Sequence, residues 1–178
     1  MTPTHPHRRR LLRIAFVSVA AVALAYLLLV ALVRPSNDRE WSLDQDRLAT
    51  VEIAGDSVTL RNVRNAVYRS TQDFDVHWED RRLDLRRLES VWFVVEPFAT
   101  WRGPAHTFLS FGFDDGLYIA ISAEIRRERG ESFSPFKGLL RQYELIYIIG
   151  DERDLIGLRA NHRRDDVYLY PVRTTPAS

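Results

Sequence analysis

Cysteine is absent from all 178 residues of the sequence. This absence excludes disulfides, cysteine-based zinc sites and a thiol nucleophile within these residues. Lysine is almost absent as well, since Lys137 is the one lysine and arginine supplies the other positive charges. Hydrophobic residues make up 46% of the chain and charged residues 28%, proportions typical of a globular protein rather than a disordered one.

Acidic residues are missing from the first 34 positions, which hold five arginines. Residues 35–178 hold the other 20 basic residues and all 24 acidic ones, so that part carries a small net negative charge. Binding to a phosphate backbone depends on clustered positive charge. The composition therefore excludes nucleic acid as a partner.

One long apolar run, from Ile14 to Val33, contains no charged residue in 20 positions. At about 1.5 Å per residue, a helix of this length spans about 30 Å, the thickness of the hydrocarbon core of a bilayer. Arginines precede the run, and the positive-inside rule then keeps the N-terminus in the cytoplasm. We therefore predict a single-pass anchor of the inner (plasma) membrane with the globular part exported.

A cleaved signal peptide is the alternative interpretation of this run. Its apolar region would usually be about 7 to 15 residues long and would precede a small-x-small cleavage site. The sequence "ALVRPS" offers a poor cleavage site. The predicted organisation is a basic tail (1–13), a transmembrane helix (14–33), a polar linker (34–47) and a domain (48–178).

The domain is predicted to be α+β, with a mainly antiparallel sheet and a few short helices. Alternating apolar residues indicate strands, with a hairpin turn at Gly55-Asp56 and a continuous apolar strand in "ESVWFVVEPF" that we expect to be covered on both faces. Ser134, followed by Pro135, indicates the N-cap of one short helix, and Asp151 indicates the N-cap of a second. A last strand is predicted in "DDVYLYPV".

A hairpin in "AHTFLSFGFDDGLYIAISAEI", residues 105–125, provides the first candidate for a site. A three-residue Asp-Asp-Gly loop pairs Phe111 with Ile119 and places the large aliphatic residues on one face. The same register puts His106 opposite Glu124, with Cβ atoms about 4.5 to 5.5 Å apart. A carboxylate at that distance can orient an imidazole as a base, so His106 and Glu124 are candidate catalytic residues.

Small residues share the face of this pair and are predicted to leave room for a ligand, which makes Phe108, Ser110 and Ser122 candidate binding residues. The simpler interpretation is a cross-strand pair with a structural role, worth under about 1 kcal/mol. A metal-dependent hydrolase using His106, Glu124 and His162 is a further alternative. We predict no metal and no cofactor.

Five ordered motifs are similar to those of a known family; they are "RNVRNAVYRSTQDFDVHWEDRRLDL", "GPAHTFLSFGF", "SAEIRRERGESFSP", "LRQYELIYIIGDERD" and "NHRRDDVYLYPV". Together they resemble the Lnb N-terminal periplasmic domain family, in its membrane-anchored Gram-negative form. The resemblance covers about residues 61–172 and implies a permuted papain-like fold, truncated at its C-terminus. It places His106 at the histidine of the family and adds Arg126, Glu128 and Glu131, from the acidic and glycine motif, as binding residues.

The resemblance implies a periplasmic domain related to thiol acyltransferases that act on lipoproteins or other parts of the cell envelope. Members of the family continue into a region with an Asn-Cys-Thr-Thr motif, and this sequence has no cysteine. A His–Glu pair without a nucleophile forms no thioester. We therefore expect a chain that is inactive as it stands, with a non-catalytic module binding a lipid, peptide or envelope protein as the alternative.

Overall fold

A computed structural model describes residues 6–32, 34–98 and 103–173 of the chain. The chain divides into two compact units, one formed by residues 1–39 and 131–144 and the other by residues 40–130 and 145–178. The helices are α1 (Pro6–Leu32), α2 (Pro135–Leu139) and α3 (Glu152–Gly157), followed directly by a π-helix (Leu158–Arg163). The strands are β1 (Thr50–Ala54), β2 (Ser57–Tyr68), β3 (Phe74–Asp84), β4 (Leu88–Pro97), β5 (Ala105–Phe113), β6 (Tyr118–Arg126), β7 (Glu144–Asp151) and β8 (Tyr168–Pro171).

The first unit contains the apolar helix and a short capped helix. Within α1, Arg9–Leu32 is long and apolar enough to cross a membrane, and its side chains are exposed. As predicted, Ser134 caps α2 by accepting a hydrogen bond from the Lys137 amide, and Pro135 occupies the first turn. The Glu144 carboxylate accepts a hydrogen bond from the Ser36 amide at 2.8 Å, so it binds the chain just after α1.

The second unit is built on a curled, mostly antiparallel sheet of eight strands. The strand order is β1-β2-β7-β6-β5-β4-β8, and β3 pairs with β2 on the other side of that strand. Strands β2 and β7 pair in parallel, with Arg64 opposite Gly150. This arrangement confirms the predicted fold class: an apolar N-terminal helix, an antiparallel sheet and few short helices.

Each face of the sheet carries its own apolar cluster. One cluster includes Val63, Phe113 and Ile149, and the other includes Phe108, Ile148 and Leu155. Because neighbouring residues in a strand point to opposite sides, the pair Ile148 and Ile149 in β7 assigns the two clusters to opposite faces. Leu155 belongs to α3, so α3 covers the second face.

The β5–β6 hairpin has the predicted loop and register. The Phe113 amide bonds to the Leu117 carbonyl at 2.9 Å, and Phe111 pairs with Ile119. Gly116 has φ of +79°, the left-handed conformation that the turn requires and that glycine adopts without a steric cost. The alternation of apolar residues was therefore sufficient to select the register.

Two segments differ from the sequence-based expectation. Strand β4 is central, with β5 and β8 on its two sides, but Phe93 is 39% exposed, so the prediction that both faces of β4 are covered is wrong. Residues 40–46, expected in a linker, belong to the second unit: the Ser42 amide bonds to the Arg127 carbonyl, and Trp41 is buried. A polar segment without apolar periodicity can still fold when its backbone finds partners on an edge.

Candidate functional site

His106, Ser122 and Glu124 form a hydrogen-bonded cluster at the end of the β5–β6 hairpin. The Oγ atom of Ser122 lies 2.7 Å from Nε2 of His106 and donates to Oε1 of Glu124 at 2.6 Å. Nε2 of His106 is also 3.3 Å from the same Oε1. The contact expected between His106 and Glu124 is present, and the Ser122 hydroxyl bridges it.

Arg159, from the π-helix, contacts the cluster through Glu124. Its Nη2 lies 2.6 Å from Oε1 of Glu124, and its Nε lies 2.7 Å from Oε2 of Glu96. Its Nη1 donates to the Leu155 carbonyl at 2.8 Å, and its guanidinium carbon lies 5.0 Å from the centre of the Phe108 ring. Glu96 stands opposite His106 in the β4–β5 register. Arg159 therefore joins two carboxylates from two strands into one buried network.

Sequence reasoning missed both Arg159 and Glu96. The signal for Glu96 was present, because a lone carboxylate at the end of an apolar strand requires a partner when it is buried. Its partner is 63 residues away in sequence. No local pattern distinguishes Arg159 from Arg163 and Arg164, which are exposed in the same segment.

The charge state of Glu124 follows from its neighbours. Burial disfavours its ionised form, but the hydrogen bond with His106 and the positive charge of Arg159 outweigh burial and hold the pKa of Glu124 well below its usual range. Glu124 is therefore a carboxylate at neutral pH. It is an acceptor for both the Ser122 hydroxyl and the Nε2 proton of His106.

The two nitrogens of His106 have different surroundings. Ser122 uses its single hydroxyl proton on Glu124, so its oxygen accepts from Nε2, and Nε2 therefore carries a proton. Among the residues that the structure describes, no hydrogen-bond partner contacts Nδ1. The side chain of His106 is 16% exposed. This arrangement leaves Nδ1 as an available proton acceptor.

The small-residue face beside the cluster is filled by protein. Phe108, Ser110 and Ser122 are all buried, and Ser110 donates to Oε1 of Glu152 at 3.1 Å. A Cβ atom on Gly112 would lie 2.6 Å from the ring of Tyr118. The small side chains thus make room for neighbouring protein groups, and the role of these residues in ligand binding stays a prediction.

The residues of the acidic and glycine motif have structural partners. Buried Arg126 donates to the backbone carbonyls of Gln45 and Asp46 at 3.0 and 3.2 Å and lies over the Trp41 ring. Glu128 pairs with Trp41 through a single β-bridge. In the first unit, Glu131 forms an ion pair with Lys137 at 2.7 Å. Through these contacts, Arg126 binds residues 41–46 to the end of β6.

A second buried ion pair fixes α3 over the sheet. Arg64 donates through Nε and Nη2 to the two oxygens of Asp154, both at 2.8 Å. Asp154 also accepts from the Ala66 amide at 2.8 Å and from the Tyr68 hydroxyl at 3.2 Å. Burial, together with the nearby carboxylate, raises the pKa of Tyr68, although the Arg64 charge opposes the shift. This fork-to-fork pair binds α3, which directly precedes the π-helix of Arg159, to strand β2.

The three-residue metal site considered from the sequence does not form. The ring of His162 lies 5.7 Å from that of Tyr68. Within the described ranges, no group of three or more histidine, aspartate or glutamate side chains is spaced to hold a metal ion. The alternative with His106, Glu124 and His162 as metal ligands is therefore wrong.

Comparison with known proteins identifies one family. The family model of the Lnb N-terminal periplasmic domain matches residues 74–178, which is more than half of the chain. No curated protein and no solved structure matches the chain. His106, Ser122, Glu124 and Arg159 all lie within the matched residues. The chain belongs to the Lnb N-terminal periplasmic domain family.

Proposed function

We propose that this chain is a single-pass inner-membrane protein whose periplasmic domain carries the proton-accepting half of an acyl-transfer site. The observation that supports the site is the orientation of His106, whose Nε2 is held by Ser122 and Glu124 while Nδ1 has no partner among the described residues. The membrane assignment is supported by the apolar helix and by the five arginines, without any acidic residue, in the first 34 positions.

In this proposal, His106 activates a nucleophile that comes from outside these 178 residues. A thiol placed at Nδ1 transfers its proton to the imidazole, and the sulfur attacks the acyl carbonyl of the donor. The imidazolium that forms is stabilised by ionised Glu124 through the Nε2 proton. When the tetrahedral intermediate collapses, the imidazolium returns the proton to the leaving group, leaving the acyl group on sulfur.

These 178 residues contain no thiol, so we propose that they perform no thiol-dependent acyl transfer alone. The test supplies a small thiol and an activated acyl ester to the detergent-solubilised chain. We expect no turnover without the thiol, faster thiol acylation than in solution with it, and loss of that acceleration in His106→Ala. His77→Ala, which removes an exposed histidine from β3, is the matched control.

Two results would contradict this proposal. Acyl transfer by the wild-type chain without added thiol would show that it is active as it stands. Equal acceleration by wild type and His106→Ala would remove His106 as the base. The topology is tested separately in spheroplasts, where protease added outside must degrade the domain if it is periplasmic.

We propose that the partner is a lipoprotein, a phospholipid or another component of the envelope, such as an envelope protein. Binding without catalysis is the second role for the same residues, since the His106 and Glu124 side chains are 16% and 22% exposed and offer an accessible polar pair. The His106→Ala variant separates the two roles. A base loses the acceleration of acylation with its partner still bound, whereas a binding residue loses affinity for the partner.

A further inference from the structure

The side of the sheet away from α3 is partly uncovered. There the apolar cluster with Phe113 and Ile149 ends, and exposed and half-buried apolar side chains continue across five neighbouring strands. We call these residues the open face: Phe93 and Val95 in β4, Leu109 in β5, Ile121 in β6, Leu145 and Tyr147 in β7, and Tyr168 and Tyr170 in β8.

Register and alternation place these residues side by side. Tyr170 pairs with Phe93, Phe93 with Leu109, and Leu109 with Ile121, which gives one row across four strands. In β7, Leu145 and Tyr147 point to the same side as Ile149 because side chains alternate with period two. Leu145 is 77% exposed and Tyr147 is 68% exposed, so the row ends in large apolar groups in contact with solvent.

The open face carries no charged side chain. The two small positions that alternate onto it, Thr107 and Ala123, are also uncharged. Glu96 and Glu124 of the same strands lie on the opposite side, where they bind Arg159, and Asp151, which alternates onto the same side as Leu145, is buried at the far end of β7. A continuous apolar surface of this width on a folded domain marks an interaction site rather than ordinary exposed residues.

The length of chain after α1 favours a membrane as the occupant. Seven residues, 33–39, separate Leu32 from Glu40, the first residue of the second unit, and they reach at most about 25 Å when fully extended. The chain enters that unit again at Leu145, directly after Glu144, whose carboxylate binds the Ser36 amide. Through this hydrogen bond, residues 33–36 and Glu144 are all that separate the end of the candidate membrane helix from Leu145, a residue of the open face.

The chemistry of the open face fits a lipid surface. Three of its exposed residues, Tyr147, Tyr168 and Tyr170, combine an apolar ring with a polar hydroxyl, and aromatic residues of this kind concentrate where membrane meets water. Phe93 and Leu109 supply the apolar area that stabilises interfacial binding. We propose that the open face lies on the bilayer surface that holds α1, with these tyrosines at the level of the headgroups.

The absence of cysteine makes a direct test possible, because an introduced cysteine is the one thiol in the chain. Tyr147→Cys and Tyr170→Cys each receive a polarity-sensitive fluorophore, in the full chain reconstituted into vesicles of phosphatidylethanolamine and phosphatidylglycerol. Glu52→Cys, on the exposed strand β1, is the matched control. We expect spin-labelled lipid to quench the labels at 147 and 170 and aqueous iodide to quench the label at 52.

Other outcomes overturn the proposal. Iodide quenching at 147 and 170 equal to that at 52 would show that the open face is in water. Protection from both quenchers, together with cross-links between copies, would show that a second copy covers it. The inference rests on the proposed anchoring, so flotation with the vesicles is measured first: a chain that does not float refutes the anchor and this contact, whereas floating with iodide-accessible labels refutes the contact alone.

Discussion

The two faces of the sheet are stabilised by different forces. Under α3 and the π-helix, the face carries buried charges, and Arg64 and Arg159 each bind a carboxylate within 2.8 Å. The open face has apolar side chains and no charge, and Leu109 there is more than a third exposed. A buried charge tolerates few arrangements, because each lost partner costs several kcal/mol, while apolar contacts adapt. The charged face therefore determines one arrangement of helix and strands, and the open face is available for a partner.

The largest expected effect comes from removing the carboxylate of Asp154. Asp154→Ala removes the bidentate partner of buried Arg64 and leaves it the Asp44 carboxylate at 3.9 Å, and we expect a loss of about 3 to 5 kcal/mol in the free energy of unfolding. The measurement is urea unfolding of the detergent-solubilised chain followed by circular dichroism. Asp75→Ala is the control, because its ion pair with Arg69 is exposed, and we expect little change from it. Similar results for the two variants would contradict the comparison.

Phe108 and Leu109 are adjacent in β5 and point to opposite faces. Phe108→Ala opens a cavity under α3 and should cost about 3 to 5 kcal/mol of unfolding free energy. Leu109→Ala, on the open face, should cost under about 1 kcal/mol in detergent. The same unfolding experiment measures both variants. An equal loss would mean that the open face is packed as tightly as the face under α3.

The third prediction concerns the acid side of the stability profile. The folded pKa of Glu124 is below its unfolded value, so its contribution is present above the unfolded value, about 4.3, and is lost as pH falls towards the folded value. Glu124→Gln should cost about 1 to 3 kcal/mol at pH 7. Unfolding at pH 7, 5, 4 and 3 should show the difference between wild type and variant shrinking below pH 4.3. A difference that is constant with pH would contradict the assignment of charge.

The smallest expected effect is that of the Ser122 hydroxyl. Ser122→Ala should cost about 1 kcal/mol, because the charges of Glu124 and Arg159 remain in contact. Nitrogen-15 NMR of the His106 ring is the sharper measurement, since it distinguishes which ring nitrogen carries the proton. We expect the Nε2-protonated form in wild type and a mixture of both tautomers in the variant. An unchanged tautomer would show that Glu124 alone orients the ring.

Sequence patterns correctly predicted the turn, the hairpin register and the helix cap described next, because these features depend on residues that are close in sequence. The loop at Gly116 and the register that brings His106 to Glu124 followed from a period of two and a known turn. The Ser134 cap followed from the same kind of local rule. The family followed from ordered motifs, and the match to residues 74–178 confirmed it.

Long-range pairing limited what the sequence could show. Residues 40–46 were predicted to be a linker because their polar composition has no period, yet Arg126 binds the carbonyls of Gln45 and Asp46. Arg159 lies 35 residues from Glu124 and 63 from Glu96. Nothing in either segment specifies which of many arginines meets which carboxylate.

By itself, the sequence determined the apolar helix, the hairpin and the absence of a thiol, because each depends on composition or on side-chain period. The tertiary structure alone decided that the small-residue face is filled, that Arg159 completes the cluster at His106, and that the opposite face stays open. The physical reason is the position of α3, which is set by the buried pair of Arg64 and Asp154 across 90 residues of sequence.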